Sequence, residues 1–466
     1  MDRRSANPAD LVVRNANVHT LDPALPRARA FAIRDGRIVA VGADADVDDL
    51  IGTDTHVVDA AGELVMPGLV DVHSHVGFGG QQSAWELTLP PGADLPQILR
   101  AVADRADQIG PDDWVVGGTV ISPVFQAIGT REALAALDEA AGGRPVLLRD
   151  DSLHNRWVNS RALEIMGVDD ATADRGYVRD ADGMLVGQLL EAPSTAAELA
   201  VRRSVPDVHA RDLTSARTAI SIFNSVGVTA TQDAATMGAW PGRELLDVLD
   251  AAVSRGLHAK LHATADGTVR QALDAVATMR ERHGPGAVFH IAHPEFVDTD
   301  DVARFRELDV VADLSPVLWF PNPMNDIIAM QVQDHYLDRI WPLRELQDAG
   351  ALLAAGSDWP VAMATPNPWL SIETMVTRRN PDTAAPGVLG AEQAIDLADA
   401  IRAHTVNPAR AIGLGEEISR IKAGFSADFI ILDRDIFEVP VIRIHATRVR
   451  QTWFAGRRVY DVDQDS

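Results

Sequence analysis

Short apolar runs alternate with longer amphipathic stretches through the middle of the chain. Between about residues 64 and 413, eight apolar runs of strand length stand out, and most are separated by stretches of helical periodicity. This alternation is typical of βα units with a parallel sheet. Eight strands is the number in a closed (β/α)8 barrel, so we predict a barrel here. The runs are Leu64–Asp71, Trp114–Val120, Val146–Arg149, Val226–Gln232, His258–His262, Val288–His293, Val310–Ser315 and Leu352–Asp358.

Both ends of the chain have a different pattern, with short strands and tight turns. Near the N-terminus, Asp35-Gly36 separates two stretches of alternating apolar residues, which is a strong hairpin signal. The last forty residues contain three further strand-like runs. Neither end is long enough to bury a core comfortably by itself. We therefore predict one small composite β-sandwich domain from residues 1–63 and 418–466, beside a barrel of residues 64–417.

The polar residues that end the predicted strands are the candidates for chemistry, because barrel active sites lie at the C-terminal ends of the strands. His73 and His75 are two residues apart, so both imidazoles would point to the same side of a strand. Two converging imidazoles favour a divalent-metal site, with zinc the default for nitrogen-rich ligands. Paired histidines also arise by chance. Further residues of ligand type close other strands: His262, His293 and Asp358.

Composition narrows the class of protein. The formal net charge of −25 argues against nucleic acid or an anionic membrane as partner, since both need a basic surface. The absence of cysteine removes disulfides, thiolate ligands and Cys nucleophiles. The N-terminus lacks the apolar core of a signal peptide, and no apolar run reaches the ~20 residues of a membrane span. We expect a cytoplasmic protein with a small-molecule substrate; a homodimer is left open.

Several stretches along nearly the whole chain together carry a family resemblance. They are His73-Ser-His75 after Pro67-Gly68, Trp114-Val-Val-Gly-Gly118, His154-Asn-Arg-Trp-Val-Asn-Ser160, Gly187-Gln-Leu-Leu-Glu-Ala192, His262-Ala-Thr-Ala-Asp266, Gly356-Ser-Asp-Trp-Pro-Val361 and Ile421–Asp435. The sequence resembles the amidohydrolase superfamily, and within it the YtcJ-like metal-dependent hydrolases that include N-substituted formamide deformylases. The resemblance implies a distorted barrel with one or two divalent ions, most simply zinc, beside a small β-sandwich.

The resemblance also implies a set of metal ligands, which are His73, His75, Glu191, His262, His293 and Asp358. Two departures bear on this set. Ala292 stands where family members commonly have an acidic residue, so the outer nitrogen of His293 lacks its expected partner. Many superfamily members bridge two metals with a carboxylated lysine, and here only Lys260 could serve. We interpret Lys260 as a barrel-interior residue and Glu191 as the bridging ligand, with capping of the following helix as the alternative for Glu191.

The resemblance implies hydrolysis of an amide-type C–N bond, and the residue types suit metal-assisted hydrolysis. A metal would lower the pKa of water toward ~7. Asp358 would accept the proton and pass it to the departing amine, and the metal or His154 would polarise the carbonyl. Trp319, Phe320 and Trp359 follow strand ends, which suggests an apolar or aromatic substrate portion, although such residues also pack loops.

Three alternatives to amide hydrolysis stay open. A hydrolytic deaminase, or a hydrolase of cyclic amides or lactones, would use the same metal centre. An inactive metal-binding scaffold is a different class of protein. The presence of Asp358 beside the histidines counts against the scaffold, since such a protein has little use for a proton acceptor.

Overall fold

The structure, a computed structural model, describes residues 7–90, 92–234, 242–330, 332–361, 365–381 and 385–464 and has a mixed α/β fold. Its strands are β1 (Leu11–Arg14), β2 (Asn17–His19), β3 (Arg27–Ala28), β4 (Ala30–Arg34), β5 (Arg37–Gly42), β6 (His56–Asp59), β7 (Leu64–Pro67), β8 (Leu69–Ser74), β9 (Leu87–Thr88), β10 (Val115–Val120), β11 (Val146–Asp150), β12 (Asn155–Val158), β13 (Tyr177–Arg179), β14 (Leu185–Leu190), β15 (Val228–Asp233), β16 (Ala259–His262), β17 (Phe289–Ala292), β18 (Val310–Leu314), β19 (Leu352–Ala355), β20 (Phe429–Leu432), β21 (Val449–Phe454) and β22 (Arg457–Asp461). Its α-helices are α1 (Asp44–Val47), α2 (Val76–Trp85), α3 (Leu95–Ala106), α4 (Ser122–Ala127), α5 (Arg131–Ala141), α6 (Ser160–Met166), α7 (Ala192–Ser204), α8 (Val208–Ser225), α9 (Gly242–Val253), α10 (Asp266–His283), α11 (Thr299–Glu307), α12 (Pro323–Ala329), α13 (Asp334–Leu337), α14 (Leu343–Asp348), α15 (Pro368–Thr377), α16 (Leu397–Ala403) and α17 (Val406–Ala411). Short 3₁₀ helices lie at Asp48–Leu50, Pro316–Leu318, Ala391–Gln393 and Val441–Ala446.

The chain divides into two compact units. The first unit comprises Met1–His75, Ser221–Asp358 and Thr365–Ser466, and the second comprises Val76–Ile220 and Trp359–Ala364. Among the described residues, no helix combines the length and the apolar character needed to cross a bilayer.

Parallel strands form the centre of the first unit. β16, β17, β18 and β19 form a parallel sheet in that order, and β8 pairs in parallel with β15. Each of the eight apolar runs of the central region overlaps an observed strand. Within the described residues these strands are distributed over several sheets and do not close into one. The closed barrel therefore stays a prediction.

The first of these runs, Leu64–Asp71, was predicted as one strand, and this is wrong. It forms two strands, β7 and β8, that belong to different sheets. The change occurs at Gly68, whose backbone N–H donates to Asp428, whereas the next N–H, of Leu69, donates to Gly227. A Cβ at Gly68 would lie 2.3 Å from Thr229 Oγ1, so the close approach of the chain here requires glycine.

Strands from both ends of the chain pair with each other. A six-stranded sheet has the order β22-β21-β20-β7-β2-β3, and a four-stranded sheet has the order β5-β4-β1-β6. The predicted hairpin at Asp35-Gly36 joins β4 to β5, with φ of +50° and +73° at these residues, as a type I′ turn requires. Phe31 and Trp453 both pack on Phe429, with ring centroids 5.0 and 5.4 Å away. The termini therefore share one hydrophobic core, while the domain boundaries at 63 and 418 stay a prediction.

The second unit is built around one six-stranded sheet, of order β13-β14-β12-β11-β10-β9. Strands β9, β10 and β11 are parallel, and β11, β12, β14 and β13 pair in antiparallel fashion. The sequence pattern indicated β10 and β11 but not the antiparallel strands that follow them, because short apolar runs do not reveal which neighbour they pair with.

Candidate metal centre

Three buried side chains of ligand type lie together in the first unit. His73 is at the end of β8, His293 directly follows β17, and Asp358 comes three residues after β19. One ligand atom from each residue lies within 4.8 Å of the others. β17, β18 and β19 are adjacent parallel strands, so their C-terminal ends meet at one edge. The backbone N–H of Asp358 donates to the carbonyl of His73 at 2.7 Å and joins β8 to this edge.

The Asp358 carboxylate is the centre of this group. Its Oδ1 lies 3.2 Å from His75 Nε2 and 3.5 Å from His73 Nε2, and its Oδ2 lies 3.9 Å from His293 Nε2. Ligands of a tetrahedral zinc with bonds of 2.0–2.1 Å are about 3.3 Å apart, which is close to the shorter distances. The ring of His262, an exposed residue, has its centroid 4.7 Å from that of His293. The separations therefore suit a divalent ion.

The backbone at this site adopts an unusual conformation. His293 and Asp358 both have φ of +57°, in the left-handed region that side chains other than glycine rarely adopt. Such strain costs energy and is found mainly where the surroundings hold a functional residue in place. Gly356 provides close packing before Asp358, since a Cβ there would lie 2.4 Å from the backbone nitrogen of His73.

Burial and nearby charges set the protonation states. Burial raises the pKa of Asp358, but His293 and the other imidazoles outweigh it, so the pKa lies below its ordinary value. Burial lowers the pKa of His293 to about 3. Burial also disfavours a charged His73, yet Asp313 and Asp358 raise its pKa above the ordinary value. The site thus offers an ionised carboxylate and a neutral imidazole, which are the forms that bind metal.

A divalent ion fits this donor set. Imidazole nitrogens with a carboxylate oxygen are typical zinc ligands. The buried Nδ1 of His293 has no hydrogen-bond partner in the part of the chain that the structure describes, as the presence of Ala292 instead of an acidic residue predicts. No described carboxylate therefore accepts a hydrogen bond from Nδ1 of His293, although such a bond usually orients a metal-binding imidazole.

Asp313 is a buried residue of the site that sequence analysis missed. Its Oδ1 lies 3.1 Å from His73 Nδ1, and its Oδ2 lies 3.2 Å from His290 Nδ1 and 2.5 Å from Lys260 Nζ. Burial raises its pKa, but Lys260 and His73 outweigh this and hold the pKa well below the ordinary value. The signal in the sequence was a charged residue inside the apolar strand Val310–Leu314.

Asp71 is a second buried carboxylate close to the histidines. Its Oδ1 accepts hydrogen bonds from the backbone N–H groups of His73 at 2.9 Å and of Ser357 at 3.2 Å. Burial raises the pKa of Asp71 to about 6. The residue therefore ties β8 to the segment that carries Asp358.

Two predicted site residues lie in the second unit, and they contact each other. His154 Nδ1 is 3.4 Å from Glu191 Oε2, and both side chains are substantially exposed. Glu191 precedes α7 and has φ of +56°, but its side chain makes no capping hydrogen bond. This geometry disfavours capping, the alternative considered for Glu191. The predicted roles in catalysis and metal bridging stay predictions.

The predicted substrate-binding aromatics are buried side chains. Trp319 stacks on Trp341 with ring centroids 5.6 Å apart, and Phe320 is also buried. Trp359, in the second unit, packs so closely on α2 that a Cβ at Gly79 would lie 2.3 Å from its ring. These contacts fit the alternative that the three aromatic side chains serve packing. Their contact with a substrate stays a prediction.

Comparisons with known proteins place this chain in a family. A sequence model of the Amidohydrolase family matches residues 56–240 and 234–460. The chain is 25% identical to N-substituted formamide deformylase of Arthrobacter pascens over 97% of this chain and 98% of that protein. It is 26% identical to imidazolonepropionase of Agrobacterium fabrum, covering 96% and 95% of the two chains.

A solved structure shows the same fold. The metal-dependent hydrolase of Pyrococcus horikoshii, described as uncharacterized, superposes with a TM-score of 0.71 at 20% identity, covering 92% of this chain and 99% of that one. At this identity the likeness concerns the fold alone. The match to the family model, by contrast, spans most of the sequence. The chain belongs to the amidohydrolase family of hydrolases, enzymes that act on carbon–nitrogen bonds.

Proposed function

We propose that this enzyme cleaves the C–N bond of an N-acyl or N-formyl amide that carries an apolar or aromatic portion, with a divalent ion, zinc first, as cofactor. The observation that carries the proposal is the convergence of His73, His293 and Asp358 at one strand edge. The similarity to an N-substituted formamide deformylase over 97% of the chain supports the choice of substrate class.

Asp358 is the proposed proton shuttle. A divalent ion held beside it would lower the pKa of water toward ~7 and polarise a carbonyl oxygen. The Asp358 carboxylate, ionised because its pKa is lowered, would accept a proton from the attacking water. It would then deliver this proton to the departing nitrogen, because an amine leaves poorly unless it is protonated.

The proposed ligands form a site for one ion, and further residues would form a site for a second. His73, His75, His293 and Asp358 are proposed to hold one ion, which the distances of the three imidazoles from the Asp358 carboxylate support. His262 and a bridging Glu191 would complete a site for a second ion. His154 is proposed to polarise the substrate carbonyl, and Trp319, Phe320 and Trp359 to bind the apolar portion.

A cyclic amide is the second candidate substrate. The similarity to imidazolonepropionase, whose name specifies a ring substrate, covers nearly the whole of both chains and favours this candidate. The same proton transfers through Asp358 would open the ring, with the released nitrogen remaining attached to the product.

The finer architecture is part of the same proposal. We propose that the parallel strands belong to a distorted (β/α)8 barrel of residues 64–417 and that residues 1–63 and 418–466 form a β-sandwich. The pairing of β7 with both β2 and β20 supports the second statement. The similarity in fold to a metal-dependent hydrolase supports both.

Elemental analysis combined with a substrate panel tests this function. The purified enzyme should contain one or two divalent ions per chain, lose hydrolysis with a chelator and regain it with zinc. N-formyl, N-acyl and cyclic amides should be compared, with His293→Ala as the metal-site variant and the exposed His56→Ala as its control. Active enzyme without stoichiometric metal would contradict the proposal.

A further inference from the structure

Asp313 joins the candidate metal centre to the interior of the first unit. It belongs to β18, its side chain is fully buried, and it contacts one residue from each of three other strands. These partners are His73 of β8, Lys260 of β16 and His290 of β17. A carboxylate with partners on both oxygens in a buried site is held in one orientation.

The contact with His73 fixes the orientation of a proposed ligand. Asp313 Oδ1 lies 3.1 Å from His73 Nδ1, so the Nδ1–H of His73 donates to it. The other ring nitrogen, Nε2, then faces Asp358 Oδ1 at 3.5 Å. A carboxylate on the outer nitrogen of a ligating imidazole sets its tautomer and ring orientation. His293 has no such partner among the described residues. The arrangement of His73, His293 and Asp358 therefore depends on Asp313, because Asp313 orients the ring of His73.

Lys260 is the counter-ion of this carboxylate. Its Nζ lies 2.5 Å from Asp313 Oδ2 and also donates to the backbone carbonyl of Val72. An ammonium satisfies both acceptors, because it has three donors and a positive charge. A carboxylated lysine would place a second negative group against Asp313 and would repel it.

We propose that Asp313 is a positioning residue that holds His73 for metal binding, and that Lys260 is an unmodified side chain that holds the Asp313 carboxylate in place through their ion pair, rather than a carboxylated bridge between two metals. This inference rests on the proposed function, since it requires an ion at His73. It goes further by assigning roles to two residues outside the ligand set.

The test is a double-mutant cycle with metal affinity as the readout. Asp313→Asn, Lys260→Met and the double variant are titrated with Zn²⁺ and Co²⁺ against a chromophoric chelator. Asp313→Asn should weaken binding about 10- to 100-fold, the loss typical of an outer partner of a ligating histidine. Lys260→Met should also weaken it, and the double variant should lose about as much as Asp313→Asn alone, because Lys260 acts through Asp313.

Asp301→Asn is the matched control. Asp301 is a buried carboxylate of the same unit, paired with Arg270 and Arg304 at 2.8 Å each. Its loss should destabilise the fold without changing metal affinity. The visible spectrum of bound Co²⁺ should change in Asp313→Asn and not in Asp301→Asn. Intact mass should show no carbon dioxide adduct on the wild-type enzyme.

The outcomes separate this inference from the proposed function. If the wild-type enzyme binds no metal, both fail. If it binds metal through His293 but Asp313→Asn binds equally well, or if Lys260 is carboxylated, only the inference fails. Should Asp313→Asn not fold, Lys260→Met decides, and wild-type affinity in that variant overturns the inference.

Discussion

Asp358 has to meet two requirements that usually conflict. It is buried, which favours a protonated carboxyl, yet the proposed role as proton shuttle requires an ionised one. The imidazoles of His293 and His75 resolve the conflict by lowering its pKa. Its left-handed backbone, with φ of +57°, is the conformation in which the carboxylate reaches these rings.

Replacing Asp358 by Asn should remove the proposed proton shuttle while keeping the shape of the side chain. We expect the variant to fold, to retain much of its metal and to lose hydrolysis by at least ~10²-fold, the contribution typical of a general acid–base. Circular dichroism, elemental analysis and turnover of an identified substrate check the three parts. If the variant turned over substrate near the parent rate, Asp358 would not be the proton shuttle, and Glu191 or His154 would become the candidates.

The residues differ in how far the sequence could predict their place. The proximity of His293 and Asp358 follows from their positions after β17 and β19, because the parallel strands β17, β18 and β19 end at one edge. His73 ends β8, which pairs with β15, and the hydrogen bond from the Asp358 backbone N–H joins it to that edge. Asp313 lies within a strand, and its partners are known only once β8, β16 and β17 are in place. The apolar pattern marks such a residue as unusual but does not tell what it contacts.

At the scale of elements, the contact between the end of β19 and the end of β8 positions the candidate metal centre. Gly356 follows β19 and lies directly against the backbone of His73. Ser357, the next residue, donates its backbone N–H to Asp71 of β8. The two strand ends are therefore held together by close backbone packing and a buried hydrogen bond.

Replacing Gly356 by Ala should separate these strand ends. The added Cβ would lie 2.4 Å from the His73 nitrogen and 2.6 Å from its Cβ, so the backbone must move. We expect a loss of roughly 1–3 kcal/mol in the free energy of unfolding, as for overpacking in a core, together with weaker metal binding. Urea unfolding and metal titration measure both effects.

Gly267→Ala provides the control for this substitution. Gly267 lies in α10, and a Cβ there would meet nothing within 4 Å. This variant should be as stable as the parent or more stable, by up to about 1 kcal/mol, because alanine favours helix. Equal behaviour of the two variants would show that the packing at Gly356 is unimportant.

The pattern of the sequence predicted where strands lie better than how they pair. Apolar runs identify buried segments regardless of their partners, and so the central runs coincide with strands. The transfer of the chain from one sheet to another at Gly68 depends on Thr229 and Asp428, which are far away in sequence. Sheet assignment is a property of tertiary pairing, which a single run does not encode.

At the scale of the whole molecule, β7 connects the terminal strands to the segment with the histidines. It pairs with β2 on one side and β20 on the other, and only Gly68 separates it from β8. The aromatic contacts of Phe429 with Phe31 and Trp453 bury side chains from both ends of the chain. Neither end can therefore be removed without exposing the apolar partners of the other.

Deleting residues 1–63 should destabilise the remaining chain. The deletion removes β1 to β6 and with them Phe31, one of the two aromatic partners of Phe429, so apolar side chains of β7 and β20 would meet water. We expect aggregation or the loss of a cooperative thermal transition, and the same for a chain ending before β20. Soluble protein with the melting temperature of the full chain would contradict this prediction.

The pairing of β7 with β20 also constrains how this protein is made. β20 is translated about 360 residues after β7, so β7 leaves the ribosome long before its antiparallel neighbour exists. Until then an apolar strand edge stays exposed, which is the condition under which nascent chains associate wrongly. Because β8 continues directly from β7, His73 reaches its final surroundings only late in synthesis. The edge of β7 that pairs with β20 therefore stays unpaired while roughly 360 residues are added, and we expect any metal to bind after β20 has formed rather than before.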